Sequence, residues 1–444
     1  MLTQELTEYF ELLRFASVGI DPKRAEETFK CAEWLKRWLE KTGFAVKLVS
    51  DGRRPPVVFA TRLNAPGAKT VLFYAHYDVQ PEDPAAEWVT PAFEPVVKGD
   101  RVYCRGSQDD KGQFFAFLCG LREFVLNNPD SLNFKIILEG QEESGSEYLT
   151  ELLKGDFANE LQSDILFVCD TSAALNLRPA IIAGLRGLVS FTVTLSAANR
   201  DLHSGEYGGL APNPAQGIAE LVASLHNPDG SIAVAGFRDG IVPPTHEELI
   251  EAGRSMADAA EYREDIGVEP CGGQMGKTIA ERNCFEPTIE INGIHSGYGG
   301  PGSKTVIPNT AIAKISMRLV PGQSAEQCRQ LVCDHLRLRC PRGMKLAFGE
   351  FCGEAPGFRL PLDSELFRSA AGVLREMDPR GAVFLWDGAS IPVIAAIASL
   401  AGAMPLLVGW GQAEDRIHSP NESYSLRQFS LARTWAVKML ARLK

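Results

Sequence analysis

His76, Asp78, Asp109, Glu142, Glu143, Asp170 and His418 are residue types that ligate divalent cations or move protons. Most of them come directly after an apolar run that reads as a buried strand. An open α/β sheet presents its ligand crevice at the carboxyl ends of its strands, so acids and histidines placed there are candidates for chemistry. The pattern suits a hydrolase built around two cations.

Each signal is ambiguous alone. His76-Tyr77-Asp78 lets an imidazole reach a cation while the carboxylate orients its other ring nitrogen, yet a lone histidine at a strand end is more often structural. Asp109, after Arg105-Gly106-Ser107, could bridge two cations about 3.5 to 4 Å apart, or simply cap the helix that follows. Glu142 and Glu143 are adjacent carboxylates that repel unless a cation or shared proton separates them; a charged surface loop is the plain alternative. If both serve, Glu143 binds a cation and Glu142 takes a proton from water. Asp170 could complete one ligand set and His418, in the loop 415–420, the other. Mixed histidine and carboxylate ligation suits zinc, with manganese or cobalt as alternatives.

The elements that must position these residues alternate as in a wound α/β sheet. Apolar runs at 57–60, 71–75, 134–138 and 165–169 predict core strands, and 113–126 predicts a helix packed on them. Leu2, Leu6, Tyr9 and Leu13 predict an N-terminal helix and not a signal peptide, and the stripe Ala25, Phe29, Ala32, Leu35, Leu39 predicts a second, capped near Gly43. After Gly187 the texture changes: alternation at 188–195, a helix at 215–225, strands at 287–291 and 311–319, a helix from Ser324 and a strand at 344–351. Between them, 236–280 reads as long loops with a short helix near 247–256. Helices are expected again at 364–377 and 428–443. The fold class is therefore α/β: a wound, mixed-sheet domain (1–187 and 356–444) that carries the candidate two-metal catalytic residues, with an inserted α+β domain (188–355).

With 45 Lys and Arg against 56 Asp and Glu, a net charge of -11 argues against a nucleic-acid or anionic-membrane partner. No apolar stretch is long enough to span a bilayer. Ten cysteines without a paired C-x-x-C read as reduced thiols of a cytoplasmic protein, with Cys328 and Cys333 packed in a helix.

The segments AHYDVQP, RGSQDDKG, LEGQEESGS, VCD and IHSPNES, in this order, resemble the M20 metallopeptidases, specifically the carnosinase and cytosolic nonspecific dipeptidase branch. The resemblance implies that His76, Asp109 and Asp170 hold one zinc and Asp109, Glu143 and His418 the other, with Asp109 bridging. It further implies that Asp78 orients His76, that Glu142 is the general base, and that a cis peptide follows Asp109. In the inserted domain, Asp201-Leu202-His203-Ser204-Gly205 resembles the motif whose histidine reaches the other subunit's active site of a homodimer, where His203 would stabilise an oxyanion. Thr305 in Lys304–Pro308, Arg318 in Ser316–Pro321, and Gly388 with Ser390 match substrate-binding positions, although Ala389 stands where a second glycine is expected. An arginine on an apolar strand needs an anionic partner, either a substrate carboxylate or a structural one.

Two departures limit the transfer: Phe358-Arg359-Leu360-Pro361-Leu362 lacks the His-Pro-His pattern, and His295, in a glycine-rich loop, has no assigned role and is expected at the surface. The expected reaction is hydrolysis of a dipeptide or similar small substrate with a free carboxylate, with closure of the inserted domain excluding water. The alternatives are an N-acyl amino acid deacylase or desuccinylase and, from another class, a non-catalytic metal-bound homologue.

Overall fold

In the computed structural model, which describes residues 3–174, 178–387 and 392–444, the chain forms two compact units. The first comprises Met1–Ala183, Leu360–Leu385 and Ala396–Lys444; the second comprises Gly184–Arg359 and Trp386–Ala395.

Helix α1 (Gln4–Leu13) opens the first unit, its end capped by the Thr3 hydroxyl, which accepts from the Leu6 amide. Helix α2 (Ala25–Lys41) stops at Gly43, which takes φ +90° while its amide donates to Glu40 and that of Phe44 donates to Leu39. Those paired bonds are a Schellman end, which a glycine accommodates without strain. Strands β1 (Ala45–Val49), β2 (Val57–Arg62) and β3 (Thr70–His76) lead to helix α3 (Lys111–Asn127). Strands β4 (Asn133–Glu139), β5 (Ile165–Val168) and β6 (Ala180–Leu185) follow.

The second unit contributes β7 (Gly187–Ser196), α4 (Pro214–Ala223), α5 (His246–Ser255), α6 (Ala259–Ile266), β8 (Thr288–Ser296), β9 (Thr310–Leu319), α7 (Ala325–Leu338) and β10 (Lys345–Ala355). Its antiparallel sheet runs β8-β9-β7-β10. Burial alternates strictly along β7, so Val189, Phe191, Val193 and Leu195 meet Ile218 and Leu221 of α4 and Val332 and Leu336 of α7 in one core. Cys328 and Cys333 are part of that core. Helix α5 starts with a capping box between Thr245 and Glu248; α6, with its own box at Asp258 and Glu261, is a second helix where the sequence predicts only one.

The chain then completes the first unit with α8 (Glu365–Met377), β11 (Met404–Gly409) and α9 (Leu426–Arg442). The mixed sheet of this unit is ordered β1-β2-β4-β3-β5-β11-β6. Neighbours β4, β3, β5 and β11 are parallel to one another, whereas β2 on one side and β6 on the other run antiparallel to them. Strand β11 escaped the sequence reading because its apolar residues run on from a helix at Pro392–Ala401, and a continuous apolar stretch has no period that separates helix from strand.

Helix α3 is buried on almost every side. Phe117 stacks on Phe73 of β3 at 4.1 Å between ring centroids and lies beside Trp435 of α9. Gly120 permits the approach of α9: a Cβ there would lie 2.5 Å from the Arg433 carbonyl oxygen and 2.7 Å from the Ala436 methyl. Among the described residues no helix is long and apolar enough to cross a membrane. Gly120→Ala is expected to force α3 and α9 apart and cost about 1–3 kcal/mol by overpacking, read as a lowered Tm in a thermal melt of the purified protein.

Candidate metal centre

Parallel pairing aligns the carboxyl ends of β4, β3, β5 and β11, and the candidate residues leave from those ends. His76 closes β3, Glu142 and Glu143 follow β4, Asp170 follows β5, and His418 lies in the loop after β11. Register pairs His76 with Glu139 and Tyr74 with Val168, which puts all three loops at one level of the sheet. Asp109 arrives from the turn before α3.

The buried Asp109 carboxylate lies between the two histidines. Its Oδ1 is 3.2 Å from His76 Nε2, and its Oδ2 is 2.9 Å from His418 Nε2. His76 Nε2 is also 3.6 Å from Asp170, and His418 Nε2 is 3.2 Å from Glu143. Candidate ligand atoms of Asp109, Glu143 and His418 fall within 4.8 Å of one another, as do those of His76, Asp110 and Asp170. Asp110 is a residue that the sequence reading leaves without a role. Both of its carboxylate oxygens are buried without a hydrogen-bond partner among the described residues. The peptide between Asp109 and Asp110 is cis. The cap position of α3 falls to Asp110 and makes no side-chain cap bond, so the alternative of an ordinary capping Asp109 is not realised.

Charge follows from this crowding. Burial opposes ionisation of Asp109, yet hydrogen bonds with His418 and His76 hold its carboxyl well below the ordinary range. Those to Asp109 and Glu143 push His418 up to about 10, so this imidazolium must lose its proton to bind a cation. Burial, with Asp170, Asp78 and Glu139 nearby, pushes Glu142 up to about 8 against the opposing effect of His76. One imidazole and two carboxylates per cluster are nitrogen and oxygen donors of the kind that divalent cations such as zinc accept.

The candidate ligands are held by equally specific supports. His76 Nδ1 meets the Asp78 main-chain oxygen at 3.1 Å, closer than the Asp78 carboxylate at 3.5 Å. That carboxylate also accepts the amides of Glu142 and Glu143, at 3.2 Å each, and so orients the loop after β4. Gln80 donates to Glu143 at 2.7 Å. Glu422, fully buried, accepts the amides of Gly106, Gln108 and Asp109 and the Arg105 guanidinium, and it thereby fixes the turn that carries Asp109. The His418 loop holds Arg416, His418 and Asn421 at φ between +56° and +66°, a region that costs non-glycine residues free energy. Asp415 pairs with Arg101, and Asn421 bonds Val89 and Glu87, clamping the loop on both sides. Gln80 falls in AHYDVQP and Glu422 in IHSPNES, but nothing in residue type distinguishes such supports from surface polar groups.

In the second unit His203 is exposed and pairs with Val306 between two short strands. Its Nδ1 accepts the Gly205 amide at 3.1 Å, which leaves the proton of the neutral ring on Nε2, 3.2 Å from the Thr305 hydroxyl. Arg318 is half-buried on β9, opposite Thr288 and Leu188. Arg359, in the segment without the His-Pro-His pattern, pairs with Glu248 at 3.0 Å. His295 is exposed. Gly388 and Ser390 lie outside the described residues.

Residues 72–442 match the peptidase family M20/M25/M40. The chain is 29% identical over 421 residues to the human Beta-Ala-His dipeptidase, covering 91% of this chain and 83% of that relative. It is 30% identical over 390 residues to a Cys-Gly metallodipeptidase of Schizosaccharomyces pombe, covering 84% and 80%. Among solved structures it is similar to an M20 family metallo-carboxypeptidase from Sulfolobus solfataricus, with a TM-score of 0.87 at 27% identity over 100% of this chain and 99% of that one. Human carnosine dipeptidase 1 gives a TM-score of 0.78, also at 27% identity, over 99% and 96%.

Two outcomes follow from the geometry. Zinc at a hundredfold excess over its dissociation constant should stabilise the metal-free protein by about 2.7 kcal/mol for each site it fills, seen as a raised Tm, and Asp109→Ala should remove most of that rise. Glu422→Ala leaves Arg105 buried without its anion, which should cost about 3–5 kcal/mol and lower the zinc content measured after dialysis.

Proposed function

The chain belongs to peptidase family M20/M25/M40, and from that premise we propose that it hydrolyses the peptide bond of dipeptides or similar small substrates bearing a free carboxylate. The observation that carries this reading is the Asp109 carboxylate, turned with one oxygen toward His76 and the other toward His418. His76, Asp109 and Asp170 would hold one divalent cation, and Asp109, Glu143 and His418 the other, with zinc best suited to the donors. When bound, such a pair supplies Lewis-acid polarisation of the scissile carbonyl and lowers the pKa of water.

The protein's own groups do the remaining work. Glu142, half-buried beside Glu143 and with a raised affinity for protons, takes the proton from the attacking water and returns it to the leaving amine. Asp78 keeps Glu142 and Glu143 at their posts through their amides. In a homodimer, His203 of one copy would turn its Nε2 proton, which faces the Thr305 hydroxyl here, to the oxyanion formed at the other copy's centre, the Gly205 amide holding the tautomer. Arg318 would bind the substrate carboxylate as a guanidinium fork, together with Gly388 and Ser390.

The test is a purified, zinc-loaded enzyme assayed against dipeptides and N-acyl amino acids. Release of amino acids from dipeptides supports the reading; cleavage of the N-acyl compounds alone would replace it with a deacylase, and metal uptake without any hydrolysis with a binding protein. In the active enzyme, Glu142→Ala should lower kcat by about 10²–10⁴-fold while metal content stays at the wild-type value.

A further inference from the structure

The segment before residue 72, outside the family-matched region, reaches the centre from behind. Ser17 is fully buried; its hydroxyl donates to the Tyr77 carbonyl oxygen at 2.6 Å, and its own carbonyl accepts the Val79 amide at 3.0 Å. These two bonds grip the main chain on either side of Asp78. Gly19 closes on Asp78 itself: a Cβ at this position would lie 2.4 Å from the Gly140 carbonyl oxygen and 2.9 Å from Asp78 Oδ2. Real side chains do not tolerate such distances, so residue 19 must lack a Cβ for the Asp78 carboxylate and the loop after β4 to sit where they do. Upstream, the same segment is pinned to the other half of the centre. Tyr9 donates to the Ser107 carbonyl oxygen at 2.6 Å, and the buried Lys111 donates to that of Phe15 at 2.7 Å.

We propose that Ser17 and Gly19 are positioning residues which, acting through Asp78, set Glu142 and Glu143 relative to the rest of the centre. Asp78 is the link, because its two carboxylate oxygens receive the Glu142 and Glu143 amides separately. Any shift of that carboxylate moves both glutamates together. The inference rests on the assignment of Glu142 as general base and Glu143 as metal ligand, and it adds that their alignment is fixed from a segment that contributes no group to the reaction. If residues 17–19 were packing alone, a substitution there would lower stability without changing the turnover of the folded molecules.

Gly19→Ala and the milder Ser17→Ala, each made in the full chain, separate the two cases. In the zinc-loaded variants kcat should fall, by about 10²-fold for Gly19→Ala and less for Ser17→Ala, while KM stays within about threefold. In the metal-free variants, hydrogen exchange of a peptide spanning 140–146 should accelerate relative to wild type, because the two amides lose their fixed acceptor. If Gly19→Ala does not fold, Ser17→Ala decides. Wild-type kcat per folded molecule with unchanged exchange would overturn the proposal. An inactive wild type would instead defeat the dipeptidase reading, and the exchange measurement would still test the clamp.

Discussion

A buried carboxylate flanked by two imidazoles is the constraint around which the first unit is arranged. Asp109 must keep its charge away from water, and that is tolerable only because partners of opposite or complementary character meet both of its oxygens. The same arrangement concentrates Asp110, Glu142, Glu143 and Asp170 nearby, and burial, with neighbouring like charge second to it, raises the proton affinity of Asp110, Glu142 and Glu143. A donor set of this density is far from what stability alone would select.

Holding it requires backbone placed to within fractions of an ångström, and the means differ from ligand to ligand. Four neighbouring parallel strands deliver His76, the two glutamates, Asp170 and the His418 loop from their carboxyl ends. Glu422 gathers three amides and a guanidinium onto one carboxylate, so the turn bearing Asp109 cannot move without breaking several buried bonds at once. The His418 loop is held by side chains in place of regular structure. Its three left-handed residues persist because Arg101, Glu87 and Val89 over-determine its path. The second unit solves a smaller problem by the same logic, using the Gly205 amide to choose the tautomer that His203 presents to Thr305.

Much of this was legible in the chain, for reasons that can be traced. Strands β3, β4 and β5 are buried on both faces and therefore read as unbroken apolar runs, which marked the positions just after them as crevice positions. The second unit was legible through alternation, since only one face of its sheet is covered. Less visible were β11, hidden in a longer apolar stretch, and α6, in a segment too polar and glycine-rich to suggest a second helix.

Residue type and order were enough to nominate the ligands, because few side chains bind cations and the apolar runs before them could hardly be anything but strands. Which oxygen of Asp109 faces which histidine, that Asp78 serves two amides more closely than the ring it was expected to orient, that Asp110 stands with both oxygens unpaired, and that Glu422, Gln80, Ser17 and Gly19 support the centre all had to come from the folded chain. Such relations join residues far apart along the polypeptide through bonds about 3 Å long. No local pattern encodes a contact of that kind; it exists only once sheet order and loop paths have brought the partners together.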